Sequence, residues 1–338
     1  MKKLVTGILG SAALALSATA GSAATLDDVK AKGEVACGVH TGLQGFAAPN
    51  DQGQWSGFDA DFCRAVAAAI FNDPAKVRFV PTNATERFTA LQSGEIDLLA
   101  RNTTWTLSRD TSLGFNFTGV NYYDGQGFMI NATKLPGINS ALQLSGAAIC
   151  VQTGTTTELN LTDWFRANNM RFTPVVIERL EEVNAAFFAG RCDSLTTDVS
   201  GLASVRASQG PRAEEYVILP EVISKEPLGP VVRHGDNRWA DVVRWAHFAM
   251  IEAEELGLTS ANIDQHLTST NPSIQRFVGA TGGMGEMLGV DNKWAYNIVK
   301  QVGNYGESFE RNVAPLGIQR GINNLWTKGG LMYSPPIR

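Results

Sequence analysis

Beyond its first 18 residues this 338-residue chain has no uncharged apolar run approaching the ~20 residues needed to span a bilayer, so nothing later in it reads as a membrane helix. Its four histidines, His40, His234, His247 and His266, are scattered, and no two of its four cysteines stand within a few residues of each other. Zinc-type ligand spacing is therefore missing. Basic residues are not in excess: the net charge is −5, a poor match for nucleic acid or anionic lipid. Low-complexity stalks and short repeats of the kind an adhesin or structural protein carries do not occur. The glycine-rich "GATGGMG" (279–285) lacks the Lys-Ser/Thr that completes a phosphate loop and reads as a flexible turn. No motif calls for a cofactor or a metal.

What is present begins with Lys2 and Lys3, followed by an apolar stretch from Leu4 to Ala18 and small residues suited to cleavage. This has the layout of a secretory signal peptide, assigned to residues 1–24, and implies an exported, soluble mature chain. Losing the two lysines would move the net charge from −5 to −7. The remaining length exceeds the usual single-core size of about 100 to 200 residues, so two lobes are expected. In an exported chain, Cys37, Cys63, Cys150 and Cys192 are expected to form two structural disulfides.

Periodicity predicts strand "EVACGV", helix "DADFCRAVAAAIF", strand "VRFVP", a helix through "ERFTALQS" ended by Gly94, and strand "IDLLAR". The same order recurs as "AAICVQ", a helix from "TTTELNLTDWFRANN", "TPVVIE", "EEVNAAFFAG" and "CDSLTTD". Punctuation recurs too: Gly94-Glu95-Ile96-Asp97 corresponds to Gly190-Arg191-Cys192-Asp193. The pattern predicts an α/β protein with two similar lobes, each a mostly parallel sheet flanked by helices. Of the three possible disulfide connectivities, the one keeping each bridge inside one unit is favoured: Cys37 with Cys63 and Cys150 with Cys192. "LGPVVR" and a long helix through "WADVVRWAHFAMIEAEELG" are expected to return to the first lobe, with "YYDGQG" and "SKEPLG" as the two hinge crossings. The resulting division is 25–123 for the first part of lobe 1, 124–226 for lobe 2, and 227–338 for the return to lobe 1 and a C-terminal extension.

In parallel α/β sheets, ligands bind beyond the carboxyl ends of the strands, where "RNTTWTLSRD" (101–110) follows "IDLLA". There Thr104 and Thr106 offer small donors, and the fork of Arg109 matches a carboxylate with two parallel hydrogen bonds; a solvated loop arginine would look the same. In the second unit, Thr155 and Glu158 stand in capping-box relation at a helix start, an arrangement that attracts anions and is equally that of a well-capped helix. Asp198 ends "CDSLTTD" at the same edge, able to hold an ammonium group or to cap the next helix. One molecule engaging Arg109, the Thr155 helix start and Asp198 together is an α-amino acid.

At these residues the chain resembles the amino-acid-binding proteins of polar-amino-acid ABC transporters, solute-binding protein family 3. The carrying stretches are "GFDADFCRAV", "ALQSGEID", "TWTLSRD", "VQTGTT" and "GRCDSLTTD". "RFTALQSGE", "RNTTWTLSRDT", "GVNYYDGQGFM", "ISKEPLGPVVR" and "NYGESFERN" narrow the likeness to the general L-amino-acid-binding subgroup over the whole mature chain. The resemblance implies a type II periplasmic binding protein, a monomer in the periplasm, closing on L-amino acids of broad range, polar, acidic and amide side chains included, and delivering them to inner-membrane ABC permease subunits. By the same resemblance Arg109 binds the ligand carboxylate, Thr104 contacts the ligand, and the Asn102 carbonyl accepts from its ammonium. Gly154 and Thr155 close on the carboxylate, Asp198 binds the ammonium, Gln152 faces the side-chain pocket, and Arg87 meets a distal carboxylate. Where relatives carry an aspartate and an aromatic after the first strand, this chain has "HTGLQGF", with His40, Leu43 and Phe46. A structural hydrogen bond is expected for His40 and a covering role over the core for Trp105. The alternative on the same fold is a dehydratase-like enzyme acting on a small carboxylate; it would need a general acid and base, yet His40 is the one histidine near the site and no carboxylate dyad or Ser-His-Asp order stands out.

Overall fold

The computed structural model describes residues 25–338, so the expected signal peptide lies outside the described residues. The chain opens with α1 (Thr25–Lys32), β1 (Val35–His40) and a small hairpin of β2 (Ala48–Pro49) and β3 (Trp55–Ser56). It continues through α2 (Phe58–Phe71), β4 (Val77–Thr82), α3 (Arg87–Ser93), β5 (Leu98–Leu99), a π-helical turn over Ser108–Ser112, and β6 (Phe115–Phe117). After β7 (Tyr122–Asp124) come β8 (Gln126–Asn131), β9 (Ala148–Gln152), α4 (Thr156–Ala167), β10 (Thr173–Ile177), α5 (Leu180–Phe188), β11 (Ser194–Asp198), α6 (Val199–Ala207) and β12 (Tyr216–Ile218). The chain then returns through β13 (Glu226–Leu228), β14 (Val231–Arg233) and the long α7 (Asn237–Glu255), and ends with α8 (Pro272–Phe277), α9 (Met284–Leu288), α10 (Trp294–Gln301) and α11 (Tyr305–Asn312).

Two five-stranded sheets result, ordered β4-β1-β5-β14-β6 and β10-β9-β11-β8-β12. In each, four strands run in one direction and one runs against them: β14 between β5 and β6, and β8 between β11 and β12. Strands β1 and β8 are buried along their whole length, as expected of central strands covered on both faces. The repeated punctuation has a physical basis. Gly94 and Gly190 both adopt left-handed φ, +80° and +79°, ending α3 and the α5 turn. Three residues on, Asp97 accepts from Ala36 N at 3.0 Å and Asp193 from Ala148 N at 2.8 Å, each satisfying an N–H at the start of a neighbouring strand. The cysteines pair within each unit, Cys37 with Cys63 and Cys150 with Cys192. Their loops, 26 and 42 residues in separation, correspond to roughly 3 to 4 kcal/mol of stabilisation each in the chain-entropy account.

The sheets are joined at two crossings that pair with each other: β7 with β13, antiparallel, Asp124 opposite Glu226 and Tyr123 opposite Pro227. The C-terminal segment wraps the first lobe. Trp294, Ile298, Tyr305 and Phe309 are buried in its core with α2 and α7, each such side chain contributing about 1.5 to 3 kcal/mol. It also holds the first crossing: Asn323 exchanges two hydrogen bonds with the Tyr123 backbone, at 2.7 and 3.0 Å, and Tyr305 Oη donates to Asn121 O at 2.9 Å.

Candidate functional site

The lobes meet over a cavity of 540 Å³, counting solvent at its mouth, lined from the first lobe by His40, Leu43, Arg87, Arg101, Asn102 and Thr104. The facing wall includes Gln152, Thr155, Thr156, Leu180 and Asp198. The cleft is shut. Thr85 and Asn83 reach Glu178 across it at 3.0 and 3.3 Å, and Leu180 packs into the same apolar cluster as Leu43.

Three arginines crowd the first-lobe side. Arg87, the first residue of α3, lies against the Phe88 ring at 4.8 Å, donates Nη1 to Arg101 O at 3.4 Å, and leaves Nε without an acceptor. Arg101 donates Nε to Thr82 O at 3.0 Å and leaves Nη2 unpaired. Arg109, in the π-helical turn, also lies over the Phe88 ring at 5.1 Å and donates Nη1 to Thr104 O at 2.8 Å. Burial and mutual repulsion depress these guanidinium pKa values: Arg101 falls to about 10 and Arg87 well below its ordinary value, while burial alone lowers that of Arg109. Burying three like charges is costly without anionic partners.

The opposing pole is acidic. Asp198 precedes α6 but does not cap it. Asp124 takes that place, reaching Ser200 N at 3.3 Å and Gly125 N at 2.8 Å. Asp198 is thus left facing the cavity with no hydrogen-bond donor among the described residues. Burial first, then Asp124 and Glu226, push its pKa well above the ordinary carboxylate value. Burial likewise raises Asp124 to about 6. On the first-lobe side, Asp59 of α2 accepts from Asn102 N at 3.1 Å, and burial brings it, too, to about 6.

At the start of α4, the Thr155 hydroxyl accepts from Glu158 N at 3.1 Å, as the capping relation predicts. The reciprocal half differs: Glu158 reaches Gly154 N at 3.0 Å and Thr153 Oγ1 at 3.1 Å, one and two residues before the cap. Thr155, Thr156 and Thr157 line the cavity, at a helix start whose first N–H groups have no intrahelical acceptor. Gly154 has φ +74°, and a Cβ there would lie 2.8 Å from Thr85 Cγ2 of the other lobe. Gly154→Ala is therefore expected to weaken ligand binding about tenfold through a clash felt only on closure, while its left-handed strain of ~1 to 2 kcal/mol lowers stability in both states; calorimetry checks the first and thermal unfolding the second.

Of the residues singled out from sequence, Arg87, Asn102, Thr104, Gln152, Thr155 and Asp198 line one cavity. Arg109 lies behind Thr104 and Gly154 lies at the lobe contact, both off the cavity wall. Asn102 holds a left-handed φ of 39° and leaves both side-chain amide atoms unpaired and buried. Gln152 donates Nε2 to Glu178 O at 2.9 Å. The His40 Nδ1 accepts from Gly42 N at 3.1 Å, the expected structural bond, and the ring also lines the cavity. Burial, Arg101 and Arg87 keep it neutral, so its proton is on Nε2. Trp105 stacks on Phe117 at 5.3 Å and 6°, covering the lobe core off the cavity wall. Sequence reasoning did not assign Arg101, Thr156 or Glu226. Arg101 opens the very stretch that carries Thr104 and Arg109, and that adjacency was the available signal.

Comparison with known proteins follows the same lines. The family described as bacterial extracellular solute-binding proteins, family 3, matches residues 35–261. The chain is 60% identical to the general L-amino acid-binding periplasmic protein AapJ of Rhizobium johnstonii, over 99% of each chain. It is 57% identical to the glutamate/glutamine/aspartate/asparagine-binding protein BztA of Rhodobacter capsulatus, over 100% of each. A solved periplasmic binding protein of an ABC transporter from Brucella ovis, with glutathione bound, superposes with a TM-score of 0.92 at 63% identity, covering 94% of this chain and 100% of that one.

Proposed function

Because the chain belongs to the bacterial extracellular solute-binding proteins, family 3, we propose that it captures L-amino acids by closure of two lobes and hands them to the permease subunits of an ABC importer in the inner membrane. Its fold is the two-lobed type II periplasmic-binding-protein fold, and its relatives are periplasmic binding proteins. The single observation that carries the reading is the half-buried, donorless carboxylate of Asp198 lining one cavity opposite Arg87 and Arg101, with the charge of Arg109 behind Thr104. A zwitterion satisfies both poles at once, and only in the closed state.

In this arrangement the α-carboxylate meets the free N–H groups of Arg109 with Thr104 and the Gly154–Thr155 helix start. Arg109 spends only Nη1 on the protein. The ammonium lies between Asp198 and the Asn102 carbonyl. The ligand side chain extends past Gln152 toward Arg87, Arg101 and His40, whose unpaired groups are all donors. Acceptor-bearing side chains, acidic or amide, suit that end best. Hinge crossings near residues 124 and 226 are supported by the pairing of β7 with β13, with β13 and Glu226 fastened to the first lobe so that the second crossing falls just before Glu226. The mature protein acts as a monomer in the periplasm, with no cofactor and no nucleic-acid partner.

Binding rather than dehydration is favoured by the state of His40: Nδ1 is occupied, and two arginines oppose its taking a proton. A thermal-shift screen over the twenty amino acids tests the function. Glutamate, glutamine, aspartate and asparagine are expected to raise the melting temperature, since a ligand that binds only the folded state stabilises it. No shift with any amino acid would overturn the proposal, and product detected by mass spectrometry after incubation would favour the enzyme.

A further inference from the structure

Glu226 is 1% exposed and sits on β13, where the chain crosses back into the first lobe. The segment holding it is fastened to that lobe by backbone bonds: Trp105 N donates to Pro227 O at 2.8 Å, Gly229 N to Thr103 O at 3.0 Å, and Asn121 N to Leu228 O at 2.9 Å. Its carboxylate accepts four neutral donors. Oε2 takes Thr104 Oγ1 of the first lobe at 2.6 Å and Thr156 Oγ1 of the second at 2.8 Å. Oε1 takes Asn160 Nδ2 of the second lobe at 2.8 Å and Ser224 Oγ at 2.7 Å. Thr156 and Asn160 both belong to α4, and a carboxylate near the first turns of a helix is also favoured by the helix dipole.

We propose that Glu226 is the latch of lobe closure, a positioning residue that travels with the first lobe and grips α4 through Thr156 and Asn160 only when the cleft is shut. This rests on the ligand-capture reading above. Opening must pull α4 from Glu226 and replace two charge-assisted hydrogen bonds with water, so the latch slows ligand escape without entering the ligand's own contacts. Hydrogen bonds to an ionised group are the strong ones, and losing this pair should change the closed-to-open ratio by roughly ten- to a hundredfold.

Stopped-flow fluorescence with L-glutamate on the mature protein tests the proposal in E226Q, which keeps the shape but loses the charge and one acceptor. Dissociation is expected to accelerate about tenfold or more while association stays within about twofold. N160A, which leaves the hinge strand intact, should accelerate dissociation by a smaller factor, and the double variant should show less than the product of the two effects. Unchanged dissociation in both variants, purely multiplicative effects, or a change confined to association would overturn the latch. If wild type binds no amino acid, the capture reading fails instead, and small-angle scattering of the unliganded proteins decides the latch. A larger radius of gyration in E226Q than in wild type would support it, and identical radii would overturn it.

Discussion

Asp198→Asn is expected to weaken α-amino acids by a few hundredfold to a few thousandfold, while leaving ligands that lack the amine little changed. The size follows from removing one member of a buried ion pair, about 3 to 5 kcal/mol, most of it the stranded opposite charge. The selectivity follows from position, because Asp198 offers the cavity a carboxylate that no protein donor engages. Titration calorimetry with L-glutamate and with glutarate separates the two; equal losses would remove Asp198 from the ammonium site. The same group sets a pH dependence. In the closed cleft without an ammonium, burial, Asp124 and Glu226 hold the Asp198 pKa well above 3.8. An ammonium favours the ionised form and pulls that pKa down, so binding releases protons, and affinity falls as the pH drops through the raised value. In Asp198→Asn this proton release is expected to vanish, which calorimetry in buffers of different ionisation enthalpy detects.

Arg109→Ala carries the second large effect: loss of measurable L-amino-acid binding with the fold retained. Arg109 gives one N–H to Thr104 O and keeps the rest of its fork, and its charge faces Glu226 and Asp198. Without it, the ligand carboxylate would be buried against two arginines that are already anchored at Arg101 O and Thr82 O. Arg109→Lys should recover binding only in part, because a lysine supplies a point charge and not a planar pair of donors. Undiminished affinity in Arg109→Ala would show that Arg87 and Arg101 receive the carboxylate instead.

Much of this architecture was legible before any coordinates. Strand and helix alternation depends on local periodicity, and so do the ends of α3 at Gly94 and of the cap at Thr155. The Gly-x-x-Asp echo was legible as well, although its purpose, Asp97 and Asp193 each satisfying a strand N–H, needed the packed lobes. What stayed hidden depends on groups distant in sequence. Asp124 relieves Asp198 of capping α6 only because β8 pairs with β11, Gln126 opposite Asp198, which brings the preceding Asp124 to the helix start, and no spacing rule connects residues 74 positions apart. Glu158 slips to Gly154 because the left-handed φ there turns its N–H toward the helix. Glu226 looked like a hinge residue beside a proline; its four donors come from both lobes and meet only in the closed fold. Arg101 received no assignment, since a strand-end arginine serves equally as a solvated loop charge until its burial is known.

The most direct test of the two-pole cleft is a crystal structure of the mature protein grown with L-glutamine. The account predicts the ligand ammonium within hydrogen-bonding distance of Asp198 and its carboxylate on the Arg109 fork, both lobes in contact with it. A complex with the amino acid bound elsewhere, or with Arg109 and Asp198 both unengaged by it, would contradict the account.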